Sequence, residues 1–133
     1  MASITLHVPA CLVETIRDEF VRYRDVQLDV LGSRPARDRS AAQRKAANLV
    51  CATDIVLHSV PWDDIRPDQS VALTADNDLL VEIVHGALLG EVDRFAVECH
   101  RAPAAGFDQA EVTERLRQLD CLVVLHGAAR DVH

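Results

Sequence analysis

The stretch "SITLHVPACLVETIRDEF", residues 3–20, decides the fold. Ile4, Leu6 and Val8 alternate with Ser3, Thr5 and His7, which is the period of a strand with one buried face. Pro9 follows, a residue that suits the entry to a helix because its missing N–H would be unsatisfied there anyway. From Leu12 onward, Val13, Ile16, Phe20, Tyr23, Val30 and Leu31 recur at helical spacing, while Glu14, Asp18, Arg22, Asp25 and Asp29 line the other side. Gly32 is expected to stop this helix, and "GSRPARD", 32–38, reads as a loop. A lone strand feeding a long helix needs a second strand to satisfy its backbone.

That strand is available downstream. Ser40 with Gln43 forms a capping-box pattern opening a helix through "SAAQRKAANLVCATDIVLHSV", 40–60, which Pro61 ends. "PWDDIRPDQ", 61–69, is a run of turn formers, and "SVALTA", 70–75, is the candidate second strand, with Val71 and Leu73 on one face. "DNDLL", 76–80, starts a third helix that reaches about His100. "RAPAAGF" reads as a loop, and Asp108 with Glu111 as a further capping box. The final helix is expected to close at Gly127. The order is strand, helix, helix, strand, helix, helix. It predicts a mainly α (α+β) fold: a four-helix bundle-like domain with two short strands, about 3–8 and 70–75, pairing at one edge. The length of 133 residues suits a single domain, 1–133.

Apolar residues make up 49% of the chain but aromatics only 4%, so the core must be built from Leu, Val, Ile and Ala. Between Ala46 and Trp62 the only formal charge is Asp54, yet Asn48, Ser59 and Pro61 interrupt the segment, which is too short and polar for a membrane span. The N-terminus lacks a basic region followed by an apolar one, so a cytoplasmic location without a signal peptide is expected. Cys11, Cys51, Cys99 and Cys121 are scattered singly with no CxxC pair, which disfavours zinc knuckles and redox motifs. They read as small core thiols, with inter-helix disulfides as the alternative in an oxidising compartment. Net charge is −7, split as +2 over residues 1–50 and −9 over 51–133. An acidic chain is repelled by phosphate backbones unless its positive charge is segregated. Arg34, Arg37, Arg39, Arg44 and Lys45 are the one such cluster.

The opening strand and helix resemble those of ribbon-helix-helix DNA-binding repressors, in which Ser3, Thr5 and His7 would read the major groove. The first helix, about 22 residues, is longer than such modules use. The outward residues include no Arg, Lys, Asn or Gln, and a pairing strand exists within the chain. An internal prop is the favoured reading. The pattern as a whole also resembles a loose group of short bacterial proteins of uncharacterised function. These begin with an "IT-hydrophobic-x-hydrophobic-P" strand and carry a "VxLT"-like strand before an "LLxEIxxGAL"-like helix, here "LLVEIVHGALLG". This resemblance implies the architecture and no activity.

Candidate chemistry is sparse. Asp54 falls on a helix beside Val50 and Leu57, where a carboxylate needs a partner, solvent or a raised pKa. Asp54 with His58 (i, i+4) and Glu82 with His85 (i, i+3) can each share a helix face. Together they would form a site for one transition-metal ion in a metal-binding bundle. Glu91 and Glu98 read as exposed salt-bridging groups, and His126 falls with Leu119 and Val123 on the expected inner face of the last helix. No GxSxG and no glycine-rich phosphate loop occur, so catalysis has little foothold. "GALLG" places Gly86 and Gly90 on one face, with Leu79, Leu89 and Val97 around the same back side, so the third helix is apolar nearly all round. That back is the expected interface. The sequence therefore predicts a non-catalytic module that forms a homo-oligomer or binds a protein partner, without cofactor or membrane. A metal-binding bundle and a ribbon-helix-helix-like regulator are the alternatives.

Overall fold

A computed structural model of the chain describes residues 3–33, 35–101 and 109–130. Two strands, β1 (Ser3–Pro9) and β2 (Ser70–Asp76), pair antiparallel with Ser3 opposite Asp76 and Pro9 opposite Ser70. The ribbon is therefore internal to the chain, as the alternation of Ile4, Leu6 and Val8 predicts. Each strand runs one residue further than expected. At the β1 end, Pro9 offers no N–H to extend the ladder and the next amide, Ala10 N–H, turns to the Gln69 carbonyl at 3.1 Å. Ile4, Leu6 and Val8 face inward with Val71 and Leu73. Thr5 and Thr74, directly opposite on the outer face, join their hydroxyls at 2.9 Å.

Four helices accompany the ribbon: α1 (Ala10–Leu31), α2 (Ala41–Ser59), α3 (Asn77–Arg101) and α4 (Gln109–Arg130). Helix α1 leaves β1 directly, and its Leu12, Ile16 and Phe20 are wholly buried. Gly32 ends it at φ 63°, with its N–H on the Leu28 carbonyl at 3.0 Å; this left-handed position is the one that requires glycine. Ser40 and Gln43 form the predicted capping box at the start of α2. Helix α3 leaves β2 as directly as α1 leaves β1, with the Asp76 carboxylate accepting the Asp78 N–H at 2.8 Å.

Helix α1 lies between α2 and α3, while α4 packs on α3 and also touches β1 and α1. Among the described residues α2 and α3 scarcely meet. The core joins the inner face of the ribbon to α1, to Leu80, Ile83, Val84 and Ala87 of α3, and to Leu122, Leu125 and Ala129 of α4.

Three sequence expectations are corrected. Helix α4 continues through Gly127 to Arg130, since no Cβ-excluding contact or positive φ marks a cap there. Its inner face is Leu122, Leu125 and Ala129, and Val123 points outward. Leu, Val and Ala occur all round this helix, so spacing alone does not select the buried face. Cys11 and Cys51 are exposed rather than core thiols, and they and Cys121 are unpaired. The side chains of Glu98 and Cys99, together with Arg34 and the Asp108 cap, lie outside the described residues.

Glu91 is only 3% exposed, not the surface group its charge suggests. It sits between Arg94 on its own helix at 3.1 Å and Arg115 of α4 at 3.0 Å, pinning the two helices together. Both guanidiniums reach solvent, so the charge at risk is the carboxylate. Removing both arginines by Arg94→Ala/Arg115→Ala is expected to cost about 3 kcal/mol in chemical denaturation, because it strands a buried charge. Glu91→Met is expected to cost about 1 kcal/mol or less. The reverse order would mean that the arginine stems contribute packing rather than charge balance.

Candidate functional site

The four residues read as a metal set do not come together. Asp54 and His58 belong to α2, Glu82 and His85 to α3, and α1 separates the two helices. The Asp54 carboxylate is taken by Arg24 Nη1 of α1 at 3.1 Å, and His58 Nδ1 lies 2.7 Å from the Asp54 carbonyl. Asp54 is thus a charge at the edge of the α1–α2 contact, supplied with an arginine. Among the described residues no group of three or more His, Cys, Asp or Glu is arranged to hold a metal ion.

His85 meets a different residue. Its ring lies 5.1 Å from that of His126 on α4, centroid to centroid and tilted by 35°. The two imidazoles border a small recess of about 220 Å³ with Val81, Glu82 and Arg130. Burial holds the His126 pKa below its ordinary value, and the neighbouring His85 and Arg130 push in the same direction. On the α1 side of Glu82, burial raises the Tyr23 hydroxyl and the Glu82 charge adds to the effect. Reading α3 and α4 as an antiparallel pair brings positions 85 and 126 to one level, whereas the sequence pairs His85 with Glu82 and His58.

The five residues read as an interface divide. Leu79 is 4% exposed and belongs to the core, because the helix turns it towards α1 and the ribbon. Gly86 is covered from within: a Cβ there would lie 2.1 Å from Glu19 Oε1 and 2.9 Å from Glu19 Cδ. Glu19 is buried, and Arg22 grips it with Nε at 3.1 and 3.0 Å from its two oxygens and Nη2 closer still on Oε1. Gly86 therefore makes room for an ion pair carried by α1, not for a second molecule. Leu89 and Val97 do point outward, about half exposed, and nothing lies within 4 Å of a Cβ placed on Gly90.

The structure adds residues to this outer side. Val92 of α3 and Leu116, Val123 and Val124 of α4 are also exposed, Val124 to 69%. The His85–His126 and Glu91–Arg115 contacts show that α3 and α4 run antiparallel. Leu89 and Val92 consequently sit at the levels of Val123 and Leu116 along the hairpin, and all four are about half exposed.

Of the basic cluster, Arg34 lies outside the described residues. Arg37 reaches Asp38 at 4.0 Å, and Arg44 donates to the Arg39 carbonyl at 3.1 Å. Lys45 instead lines a long groove between α2 and α3, of about 970 Å³, whose floor includes Tyr23, Leu49, Ala52 and Leu79.

Two measurements follow from this geometry. Gly86→Ala removes a helix-interior glycine, worth about 1 kcal/mol of helix propensity, but displaces the Glu19–Arg22 pair. It is expected to destabilise the protein by about 1 kcal/mol, and in a Glu19→Ala background to stabilise it by a similar amount. Equal effects in both backgrounds would remove Glu19 as the reason for the glycine. For His126, a folded-state pKa below the unfolded value of 6.5 means that the neutral ring stabilises the fold above that pH. This contribution is lost as pH falls through 6.5 towards the folded value. Acidifying from pH 7 to pH 5 should therefore lower the melting temperature less in His126→Leu than in the parent protein. The chain matches no protein-family model, no curated protein and no solved structure.

Proposed function

We propose that the protein is a non-catalytic module that self-associates through the outer face of the α3–α4 hairpin. The observation carrying this reading is the apolar strip of Leu89, Val92, Leu116 and Val123, extended by Val97 and Val124. Isolated exposed hydrophobics are ordinary, but a contiguous group on one two-helix face is not. The strip runs from Leu116 to Val123, about 10 Å of helix at 1.5 Å per residue, and two helices make it about 20 Å across. Those roughly 200 Å² are the apolar centre of a contact, around which polar surface would supply the rest of the 800 Å² or so per partner of a standard interface.

A second copy is the occupant that the strip itself favours. Leu89, Val92, Leu116 and Val123 are uncharged and half exposed, so a two-fold partner presenting the same side chains covers apolar surface with apolar surface. Face-to-face packing of two such hairpins makes a four-helix contact. It would also cover Leu89 and Gly90, where the small residue permits close approach.

Leu89→Glu/Val123→Glu should convert a dimer to a monomer in light scattering after size exclusion, weakening association at least 100-fold, about 2.7 kcal/mol. The far-ultraviolet spectrum and melting temperature of the monomer at low concentration should be unchanged, since both side chains are already half exposed. A parent protein that is monomeric at high micromolar concentration, or a variant of unchanged mass, would reject the reading.

A further inference from the structure

The groove between α2 and α3 is a separate feature, and its existence follows from the helix arrangement. Helix α1 carries α2 on one side and α3 on the other, and beyond Tyr23 nothing fills the angle between them. The result is a cleft of about 970 Å³, at the upper end of the range for small-ligand pockets but open along its length. Its α2 wall includes Ala42, Lys45, Ala46, Leu49 and Ala52, at i, i+3, i+4, i+7 and i+10, with Asn48 beside them, so it follows one helix face for about 15 Å. Three of those five are alanine, which lets a helical backbone approach closely. Val30, half exposed at the end of α1, and Val81 of α3 complete an apolar floor that suits the ridge of another helix.

The rim identifies the charge of the occupant. On the α3 side stand Asp76, Asp78 and Glu82, opposed by Lys45 alone. Asp76 is engaged as the helix cap. Asp78 and Glu82 are four residues apart on one helix face, where like charges repel, and neither has an ion-pair partner among the described residues. A cation lying over the cleft relieves that repulsion and gains both carboxylates. We infer that this groove is a docking site for a basic amphipathic helix of a partner protein, about three turns long, with its apolar ridge on the floor and Lys or Arg side chains over Asp78 and Glu82.

The site does not depend on the α3–α4 face, and the experiment keeps the two apart. The probe is a fluorescent 15-residue helical peptide of Leu, Ala and Lys, compared in fluorescence anisotropy with the same peptide carrying Glu for Lys. The Lys peptide is expected to bind at least ten-fold more tightly. Asp78→Lys/Glu82→Lys should reverse that preference, and Ala42→Trp, which projects into the groove from an exposed position, should weaken the Lys peptide at least ten-fold. The self-association variant Leu89→Glu/Val123→Glu should bind the Lys peptide like the parent protein. The control Asp93→Lys/Glu114→Lys, remote from the groove, should leave binding unchanged. The inference is overturned if this control weakens binding as much as the groove variants, if Ala42→Trp has no effect, if the two peptides bind alike, or if binding is lost with Leu89→Glu/Val123→Glu.

Discussion

The antiparallel pairing of β1 with β2 is the constraint on which the other contacts depend. Each strand passes straight into a long helix, through Pro9 into α1 and through Asp76 into α3. A one-residue slip would move Ile4, Leu6 and Val8 from the inner face to the outer one, so burial of the ribbon fixes the register. With the register fixed, α1 and α3 leave opposite ends of the ribbon and pass each other antiparallel. That crossing sets Glu19 against Gly86 and Tyr23 near Glu82. Helix α2 is laid along α1 and also touches β2.

Legibility in the sequence followed the strength of each local signal. The period-2 run at residues 4–8, the Ser40–Gln43 box and Gly32 each have one physical meaning, and the elements they mark were read correctly. Helix α4 is legible as an element, but its end passes the expected stop at Gly127 and its inner face is misjudged, because Leu116, Leu119, Leu122, Val123 and Leu125 spread around its circumference. Glu91 reads as a surface charge on general grounds of desolvation, and the spacing of the first helix says nothing of Glu19. Each has an arginine three residues later, Arg22 and Arg94, and that spacing was the available sign of a shielded carboxylate. Gly86 was recognised as a position of close approach, although what approaches is an α1 side chain. Asp54 was recognised as needing a partner, and Arg24 supplies it.

Charge is distributed with some economy. The carboxylates that lie inside, Glu19 and Glu91, are neutralised by arginines whose stems run to the surface, so the fold does not bury two ions for each pair. The excess of negative charge is left on exposed positions of α3, α4 and the 61–69 connection, where water screens it. Of the ion pairs, Arg115–Glu91 and Arg24–Asp54 join different helices. Most others are neighbours on one helix, whose contribution to stability is small.

Helix α2 has a distinct position in this scheme. Only Ala46, Thr53 and Val56 of its residues are buried, and Thr53 spends its hydroxyl on carbonyls of its own helix. The helix is held mainly by one neighbour, α1, and by short turns at either end. Local opening is cheapest where few buried side chains must be exposed, so the amides of α2 should exchange with solvent ahead of those in α1 and α3, which bury more of their residues. One wall of the cleft is therefore compliant and the other rigid. An occupant would be clasped by the wall that yields, and tightening of α2 around it would register as slower exchange far from any contact on α3 or α4.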